Sequence, residues 1–575
     1  MRSLMQRRTI RNVHFLRLRG DMIERARHHA RLLRSEIFEG AVPALAKKNE
    51  GLIQRGPGLI RNSTIQKALL YFYKTQFMVY LDRQSSKKAK DLFRVAEEET
   101  GIPYDVWRDA FFQADAMMVL AKATLLRHAL SDWIPGGLPG CTSAVVLKDW
   151  TESGRLLACR NLDYPLVGPW ERHPTVVFNE PTESGEIPFV SLTSAGIQTG
   201  GITSMNREGV TLFTHAHFGR TVSFQGKPIV WIGDQVIRKS KTLGEAIDEA
   251  KKQKTLSNWA FVVASAKENQ AAVIQMTPNK VSVQESADGF LTHSNFFPDK
   301  ELQFSEGLLS GAYCEDLQSR VCRMRQLMEA KRGHLQPMDM AAALGDHWDP
   351  RSGEERVFGN TISVITTVKS AVFDPTAQRF WISNRTESPV GLGDFLEVNV
   401  DRFWEQSAKE TDDSMQVLRP HTQKNPRLIQ AIHFYRQAYC AYHMGEDRPG
   451  DREQALAYLQ KAVNTYPEDG HLWVQSGVLS FQLGQFSSAI SFFEESRSRS
   501  LSDHVKAVRD LYLARCLDLT GQRARAIQLY ARHVHLHSLE PKLKKAFKRG
   551  LIKSYQKSEI SRMIVDLQFV DTFEY

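Results

Sequence analysis

The sequence predicts a mixed α/β chain in three parts: a helical segment, a strand-rich α/β region and a set of helical repeats. Apolar residues recur every three or four positions from Gly20 to about residue 133, which is typical of amphipathic helices. Short β-branched runs follow, and beyond a polar stretch the helical period returns with a 34-residue repeat. With 575 residues, 42% of them hydrophobic and 24% charged, the chain has the composition of a folded multidomain protein.

The first part, residues 1–140, is predicted to be helical. Asp21 followed by Glu24 is a typical helix start. Further helices are expected at 64–82 and 104–130, and we interpret their apolar residues as core packing. The segment ends in the sequence IPGGLPG, whose two prolines and three glycines exclude helix and favour an exposed loop up to residue 140.

The second part, residues 141–406, changes to short runs of β-branched and aliphatic residues, which favour strands. Two stretches with helical spacing, around 230–253 and 316–332, interrupt these runs. We therefore predict a strand-rich α/β layer architecture, followed by a polar linker over 407–424. The predicted strands cover residues 142–147, 155–160, 175–178, 209–214, 259–263, 272–275 and 361–368.

The third part, residues 425–575, resembles tetratricopeptide repeats. Small and apolar residues that begin with Ala455 recur 34 positions later from Ala489, a spacing at which paired helices stack on their neighbours. Leucines and aromatics spaced by four over 543–555 predict a final capping helix that carries the terminal lysines. Such repeats bind proteins or peptides, and a stabilising or dimerising appendage is the alternative.

Charge and cysteine content exclude several classes of protein. The net charge of +10 is concentrated in residues 1–50 and 541–557, each of which carries +7, so the middle of the chain is not basic. We interpret these runs as solvated faces of helices, with an anionic surface or ligand as the alternative, and we expect no nucleic-acid partner. No segment reads as a secretory signal or an integral membrane helix, which favours a cytoplasmic location. Six sparse cysteines form no disulfide scaffold.

The surroundings of Cys141 point to chemistry. It follows Gly140, which has no side chain to shield its carbonyl group, so the thiol can attack the preceding peptide bond. Cleavage would make Cys141 a new N-terminus, and its α-amino group, with an ordinary pKa of about 7.7 to 8.0, would be a built-in general base. The alternative is a small buried hydrophobic residue, the commoner state of an isolated cysteine.

A hairpin is predicted to bring Arg160 beside Cys141. The first strand turns at 151–154 and returns antiparallel, so the numbers of paired residues sum to about 305. Cys141 then lies opposite Tyr164, and Arg160 shares its face. Asp163 falls on the other face and needs a bulge or a strand end to approach the sulfur. The alternative for Arg160 and Asp163 is an ordinary surface ion pair.

Several motifs resemble one enzyme family. The sequence GCTS at 140–143, followed by CRNLDY at 159–164, resembles the signature of cysteine N-terminal-nucleophile amidohydrolases, the group of penicillin acyltransferases, choloylglycine hydrolases and acid ceramidases. The helical region before Cys141 is similar to the prosegment of the acyltransferases. Further segments agree in order, at 201–210, 291–297, 319–324, 363–368 and 380–383. The resemblance spans residues ~10 to 400.

The resemblance implies a four-layered αββα fold that cleaves itself after Gly140 and keeps the helical segment as a small subunit. It also implies five site residues. Their implied roles are Cys141 as nucleophile, Arg160 holding the thiolate or polar groups of the substrate, Asp163 binding the new amino terminus, Asn295 donating to the oxyanion, and Arg320 supporting the cleft.

Two histidines, His215 and His217, lie near these motifs in the sequence. A pair spaced by two residues shares one face of a strand, so we interpret them as a polar lining, with a metal site as the alternative.

We hypothesise an autoprocessed cysteine hydrolase or acyltransferase acting on a linear, non-peptide amide through a thioester on Cys141. Its substrate would be a small acyl amide, and no metal or organic cofactor is expected. The alternative hypothesis is a catalytically inactive shell of the same fold that acts with the repeats as a protein-binding adaptor.

Overall fold

The computed structural model describes residues 6–54, 62–123, 140–219, 221–303, 306, 310–405, 415–445, 449–535 and 539–574. It has the mixed α/β character that the sequence predicts, with strands in two large sheets and helices in the C-terminal region. The predicted loop before Gly140 and most of the first half of the predicted linker lie outside the described residues.

The first described elements form a β-hairpin, so the prediction of helix for the basic N-terminal run is wrong for residues 6–20. Strands β1 (Gln6–Ile10) and β2 (Val13–Gly20) are joined by Arg11 and Asn12, whose φ angles of 45° and 71° are left-handed. Exposed or half-buried arginines alternate with buried leucines along the second half of β2. This is a strand period, which the high content of arginine obscured in the sequence.

Helices then follow as predicted. Asp21 caps the first of them: its carboxylate accepts from Glu24 N at 2.8 Å and the Glu24 carboxylate accepts from Asp21 N at 3.0 Å, which confirms the predicted start. A π-helical turn, Tyr73–Phe77, joins the fourth helix to the fifth. The helices are α1 (Met22–Leu32), α2 (Arg34–Glu39), α3 (Ala41–Gln54), α4 (Ser63–Phe72), α5 (Met78–Gln84), α6 (Lys87–Thr100) and α7 (Tyr104–Ala123).

The α/β region alternates hairpins with helix pairs. Its first half consists of β3 (Gly140–Val146), β4 (Leu157–Asp163), β5 (Pro174–Pro181), β6 (Phe189–Ser194), β7 (Thr203–Asn206), β8 (Val210–Ala216), α8 (Ile229–Lys239), α9 (Leu243–Lys251), β9 (Trp259–Ser265), β10 (Gln270–Met276), β11 (Val281–Glu285) and β12 (Phe290–His293). Its second half consists of α10 (Lys300–Gln303), α11 (Gly311–Glu329), α12 (Pro337–Leu344), β13 (Trp348–Asp349), β14 (Glu354–Glu355), β15 (Thr367–Asp374), β16 (Arg379–Ser383), β17 (Phe395–Asn399), α13 (Val400–Glu405) and β18 (Val417–Leu418).

Two large sheets face each other within the described residues. One has nine strands in the order β1-β2-β5-β6-β7-β8-β9-β10-β11, and the other has seven in the order β12-β3-β4-β15-β16-β17-β18. Buried residues of both sheets, such as Phe178 and Phe373, share one core between them. The other face of the nine-stranded sheet packs on α8 and α9, and that of the seven-stranded sheet packs on α11 and α12.

The strand predicted at 361–368 is displaced in the structure. The chain there makes a buried turn, in which Thr367 N donates to Val364 O at 2.8 Å, and the strand runs from Thr367 to Asp374 instead. The β-branched residues that favoured a strand are buried, but their backbone follows the turn. The predicted linker also contributes a strand, since β18 pairs with β17.

The C-terminal region contains the predicted helix pairs. Gly477 lies against the ring of Phe493, so the helices of that pair approach closely at this small residue. The helices are α14 (Pro426–Tyr439), α15 (Pro449–Thr465), α16 (Gly470–Gln482), α17 (Phe486–Glu495), α18 (Asp503–Leu519), α19 (Arg523–His533) and α20 (Pro541–Ile552).

The predicted capping helix is present as α20, but a second terminal hairpin follows it, so the prediction of an all-α repeat region is wrong. Strands β19 (Met563–Asp566) and β20 (Asp571–Glu574) follow α20 and pair with each other. Side chains from α14, α16 and α18 bind this hairpin: Tyr435 Oη donates to Leu567 O at 2.6 Å, Gln475 Nε2 to Asp566 O at 3.0 Å, and Tyr512 Oη to Thr572 Oγ1 at 2.6 Å. The hairpin thus fills the face formed by the first helices of successive pairs.

Among the helices of the described residues, none combines the length and apolar composition that a membrane crossing requires.

Candidate active site

Cys141 lies near the start of β3 and is 2% exposed. Strands β3 and β4 pair so that Cys141 is opposite Leu162, and the predicted pairing with Tyr164 is therefore wrong by two residues. The 3₁₀ turn Lys148–Trp150 shifts the centre of the hairpin by one position, which the sequence did not indicate. A shift of two leaves the alternation of faces unchanged, so Arg160 still shares the face of Cys141 as predicted.

The Arg160 guanidinium lies against the Cys141 thiol, with 3.1 Å between Nη2 and Sγ. It is held by Thr203 Oγ1, which accepts from Nη1 at 2.7 Å, and by the carbonyl oxygens of Ile202 and Thr214. Burial raises the pKa of the Cys141 thiol, and the positive charge of Arg160 opposes that rise. The fixed guanidinium is therefore the feature of the site that favours a thiolate.

Asp163 is the last residue of β4 and lies on the opposite face from the sulfur, as predicted. Its carboxylate accepts from Arg320 Nη1 and from Thr367 Oγ1, each at 2.7 Å. A Cβ built at Gly140 would lie 3.3 Å from Asp163 Oδ2 and 3.0 Å from Arg320 Nη1. Because Gly140 has no side chain, both charged groups reach the backbone immediately before Cys141.

Burial raises the pKa of the Asp163 carboxyl, while Arg320 acts to lower it. Burial acts to lower the pKa of Arg320, but the negative charges of Asp316 and Asp163 have the larger effect and raise it. These three side chains are fully buried, and together they form one ionic group beneath the Gly140–Cys141 peptide bond. A buried ionic group of this kind persists only where its members are paired.

Asn295 lies two residues beyond the end of β12 and contacts the backbone of Cys141. Its Oδ1 accepts from Cys141 N at 2.6 Å and its Nδ2 donates to Ala216 O at 2.8 Å. Ser294 Oγ donates to Cys141 O at 3.1 Å. The Asn295 side chain is thus adjacent to the nitrogen that would become the amino terminus, and its amide donor is engaged by a main-chain oxygen.

The structure therefore brings all five predicted site residues together: Cys141, Arg160, Asp163, Asn295 and Arg320. Sequence reasoning missed Asp316, Thr367 and Ser294, which hold these residues in place. Asp316 lies four residues before Arg320 on α11, and this helical spacing was the signal that could have identified it.

The histidines form a buried polar cluster beside the site. Ser143 Oγ lies 2.8 Å from His215 Nε2, and His217 Nε2 lies 3.1 Å from His293 Nε2. Burial lowers the pKa of His293 to about 3 and the pKa of the other two histidines well below the ordinary value, so all three are neutral. Among the described residues, no group of three or more His, Cys, Asp or Glu side chains is arranged so that it could hold a metal ion. His215 and His217 thus belong to a buried polar cluster and are not among the residues that line the cavity at Cys141.

A largely apolar cavity lies against Cys141 and Arg160. It encloses about 1060 Å³ free of protein atoms, including its mouth to solvent. Helices α1, α3, α6 and α7 supply much of its wall, through residues such as Leu45, Phe93 and Trp107. Several side chains that the sequence suggested to be core packing, Phe111 among them, pack in the core and also line this cavity.

Comparison with known proteins agrees with this arrangement. Residues 150–387 match the family model of acyl-coenzyme A:6-aminopenicillanic acid acyl-transferase. This central region is similar to that family. The match begins nine residues after Cys141 and includes Arg160, Asp163, Asn295 and Arg320. It points to an enzyme of the acyltransferase or hydrolase type, and the resemblance predicted from the sequence is confirmed.

The repeat region also has a match, since residues 434–469 fit the family model of a tetratricopeptide repeat. Such a repeat is a candidate surface for protein interaction. No curated protein sequence matches the chain at a significant level.

Proposed function

We propose that this protein is an autoprocessed cysteine hydrolase or acyltransferase that cleaves linear amides through a thioester on Cys141. The observation that carries the proposal is the position of the Cys141 thiol, at an apolar cavity, with the Arg160 guanidinium 3.1 Å from the sulfur and Asn295 Oδ1 2.6 Å from the Cys141 nitrogen. The similarity of residues 150–387 to an acyl-transferase family supports the same class of reaction. The packing of helix pairs on the outer faces of two facing sheets supports the four-layered αββα fold of N-terminal-nucleophile hydrolases.

The first step would be self-cleavage. Cys141 Sγ attacks the carbonyl carbon of Gly140, the peptide C–N bond breaks, and the thiol proton moves to the departing Cys141 nitrogen. Water then hydrolyses the resulting thioester, which releases the carboxylate of Gly140 and restores the thiol. The products would be residues 1–140 and 141–575, and the Asp163 carboxylate beneath Gly140 would bind the new ammonium group.

Turnover would repeat this chemistry on the substrate. The α-amino group of Cys141 takes up the thiol proton, the resulting thiolate attacks the amide carbonyl, and the ammonium group then gives that proton to the leaving amine. The acyl group is left as a thioester, which water hydrolyses or an amine or thiol acceptor takes over. Arg160 would stabilise the thiolate in the free enzyme.

The lining of the cavity indicates the class of acyl group. Aliphatic and aromatic side chains form most of its surface, and Arg160 and Thr214, which contact the sulfur, are among its polar residues. An apolar acyl chain buried there gains roughly 0.8 kcal/mol for each methylene group removed from water. We therefore expect amides with an extended apolar acyl group to be the best substrates.

Intact-mass measurement with N-terminal sequencing tests the proposal. Division of 65.4 kDa in proportion to 140 and 435 residues gives fragments of roughly 16 and 49 kDa, the larger beginning CTSAVV. We expect Cys141→Ser to slow or abolish both cleavage and hydrolysis of acyl amides presented in a series of chain lengths. A chain that stays intact and inactive would instead support the adaptor hypothesis, whereas a Cys141→Ser variant that cleaves itself and hydrolyses amides like the wild type would remove Cys141 from the mechanism.

The adaptor hypothesis has less support from the structure. The face of the repeats formed by α14, α16 and α18 is filled by the hairpin β19–β20 of the same chain. A partner that used this face would have to displace the hairpin.

A further inference from the structure

A buried arginine takes part in the contact between the repeats and the α/β region. Arg356 follows β14 and is fully buried. Its Nε donates to Asp349 at 2.9 Å, its Nη1 to Asp469 at 3.0 Å and its Nη2 to Ser500 O at 2.8 Å. Asp469 is the N-cap of α16, so the repeats supply one of the two carboxylates that pair with Arg356.

The segment that follows Arg356 is attached to the repeats as well. Asp469 accepts from Val357 N at 2.7 Å, and the ring of Phe358 stacks on Tyr435 of α14 with 4.1 Å between centroids. His471 Nδ1 lies 3.2 Å from Phe358 O. The backbone from 356 to 358 is therefore held from two sides: His347 binds Arg356 N and O, while Asp469 and His471 of the repeats bind Val357 N and Phe358 O.

Two residues further on, this segment reaches the site. Asn360 N donates to Asp316 Oδ1 at 2.8 Å. Asp316 pairs with Arg320 one turn along α11, and Arg320 Nη1 donates to Asp163 Oδ2 at 2.7 Å. A series of buried contacts thus runs from Asp469 in the repeats through Arg356, the backbone of residues 356–360 and the Asp316–Arg320 pair to the Asp163 carboxylate next to Gly140.

The C-terminal hairpin and α20 support α11 from the same side. The ring of Phe569, between β19 and β20, packs edge-on against Tyr313 of α11 with 5.3 Å between centroids. Glu540, the N-cap of α20, accepts from Gly311 N at 3.1 Å. The helix that carries Arg320 is therefore fixed at its first turn by the repeat region as well.

We infer that the repeat region is a positioning element of the catalytic centre, in which Asp469 and Arg356 hold Asp316, and through it Arg320 and Asp163, at the Gly140–Cys141 bond. The inference rests on the proposed function, because it assigns the repeats a task in cis rather than the capture of a partner. Asp469, Arg356 and Asp316 act through other residues and are positioning residues.

The test compares two equal substitutions in the repeats. Asp469→Asn keeps the size of the side chain and removes the charge that faces Arg356. Asp518→Asn is the matched control: Asp518 is equally buried and accepts from Arg523 at 2.9 Å and Tyr530 at 2.9 Å, but these contacts lie within the repeats. Thermal unfolding of both variants corrects for any general loss of stability.

Three measurements distinguish positioning from stability. The first is the rate of self-cleavage at pH 7, for which we expect a loss of tenfold or more in Asp469→Asn beyond the loss in Asp518→Asn. The second is hydrogen exchange of the α11 segment 311–329 in the full chain, which we expect to accelerate only in Asp469→Asn.

The third measurement is the pH profile of self-cleavage and amide hydrolysis. If Arg320 is held less firmly, it lowers the pKa of the buried Asp163 carboxyl less effectively. We therefore expect the acid limb of the profile to move to higher pH in Asp469→Asn and not in Asp518→Asn. The charged and titratable groups that face Asp163 are Arg320, Asp316 and Tyr313 from α11, Arg160 from β4 and Cys141 from β3.

The outcomes separate this inference from the proposed function. Equal cleavage, exchange and pH profiles in the two variants would overturn the inference and leave the proposed function standing. If the wild-type chain does not cleave itself, the proposed function fails, and hydrogen exchange of 311–329 alone decides the inference: faster exchange in Asp469→Asn supports it and unchanged exchange overturns it.

Discussion

Replacement of Arg160 by glutamine provides a direct test of the proposed thiolate. The substitution removes the positive charge beside Cys141 and keeps an amide that can donate to one of the carbonyl oxygens of Ile202 and Thr214. The thiol is buried, and Arg160 supplies the positive charge among its described contacts. Without that charge, burial would raise the pKa of the thiol further. The thiolate population should therefore fall, and the rate of every step in which sulfur attacks should fall with it.

The size of the effect follows from the geometry. The Nη2–Sγ distance is 3.1 Å, and a charge spread over the guanidinium acts from an effective distance of about 4 Å. At an effective dielectric constant of ~20, that separation corresponds to about 4 kcal/mol, or roughly 10³ in the thiolate population. Because the glutamine amide still offers a dipole, we expect self-cleavage at pH 7 to slow by ~10² to 10³.

The assay follows the appearance of the fragment that begins with Cys141, by intact mass, at pH values from 6 to 10. The deficit should shrink as pH rises, because hydroxide then removes the thiol proton that Arg160 no longer destabilises. Arg238→Gln is the control, since Arg238 is also buried and pairs with Glu186 and Asp234 but does not contact the sulfur. Equal rates in the two variants at pH 7, within about threefold, would refute the role given to Arg160.

Two further predictions concern buried side chains near the site. Cys159→Ala should change self-cleavage by less than about twofold, because Cys159 packs with α11 and α12 on the far face of β4, and a large loss in the mass assay would contradict that orientation. Burial lowers the pKa of Lys369 to about 7 from 10.5, so the unfolded chain binds the extra proton between these values and the stability rises with pH across that range. Lys369→Met should therefore have a free energy of unfolding up to ~4 kcal/mol higher than that of the wild type at pH 7, measured by urea denaturation. The difference between the two proteins should shrink towards pH 10, and an equal difference at both pH values would contradict the prediction.

The predictable parts of the fold were those in which one residue pattern dominates. The capping box at Asp21 and the small residues of the repeats, such as Gly477, identify helices whose packing depends on local spacing. Both terminal hairpins escaped prediction, because their strands are short and the first is rich in arginine. Their stability comes from pairing with β5 in one case and from hydrogen bonds with the repeats in the other, and such long-range contacts leave little local signal.

The sequence predicted the part of the site that depends on how side chains alternate between the two faces of the β3–β4 hairpin. Cys141 and Arg160 remain on one face under any shift of two residues, so their contact did not depend on the exact register. The partners of Asp163 could not be derived in this way, because Arg320 and Thr367 lie 157 and 204 residues away in the sequence. Only the resemblance to a family suggested Arg320, and nothing suggested that Asp469 belongs to the same series of contacts.

Strand β2 has a consequence for how the two fragments would behave. Seven of its residues, 14–20, pair with residues 175–181 in the middle of the chain. After cleavage at residue 140, the N-terminal fragment would therefore still contribute a strand to the sheet of the C-terminal fragment. The halves would migrate together under native conditions and come apart only in denaturant. Expressed alone, residues 141–575 would present β5 as a bare sheet edge, the kind of surface that drives aggregation. We therefore expect the two pieces to fold as one chain before any cleavage after residue 140.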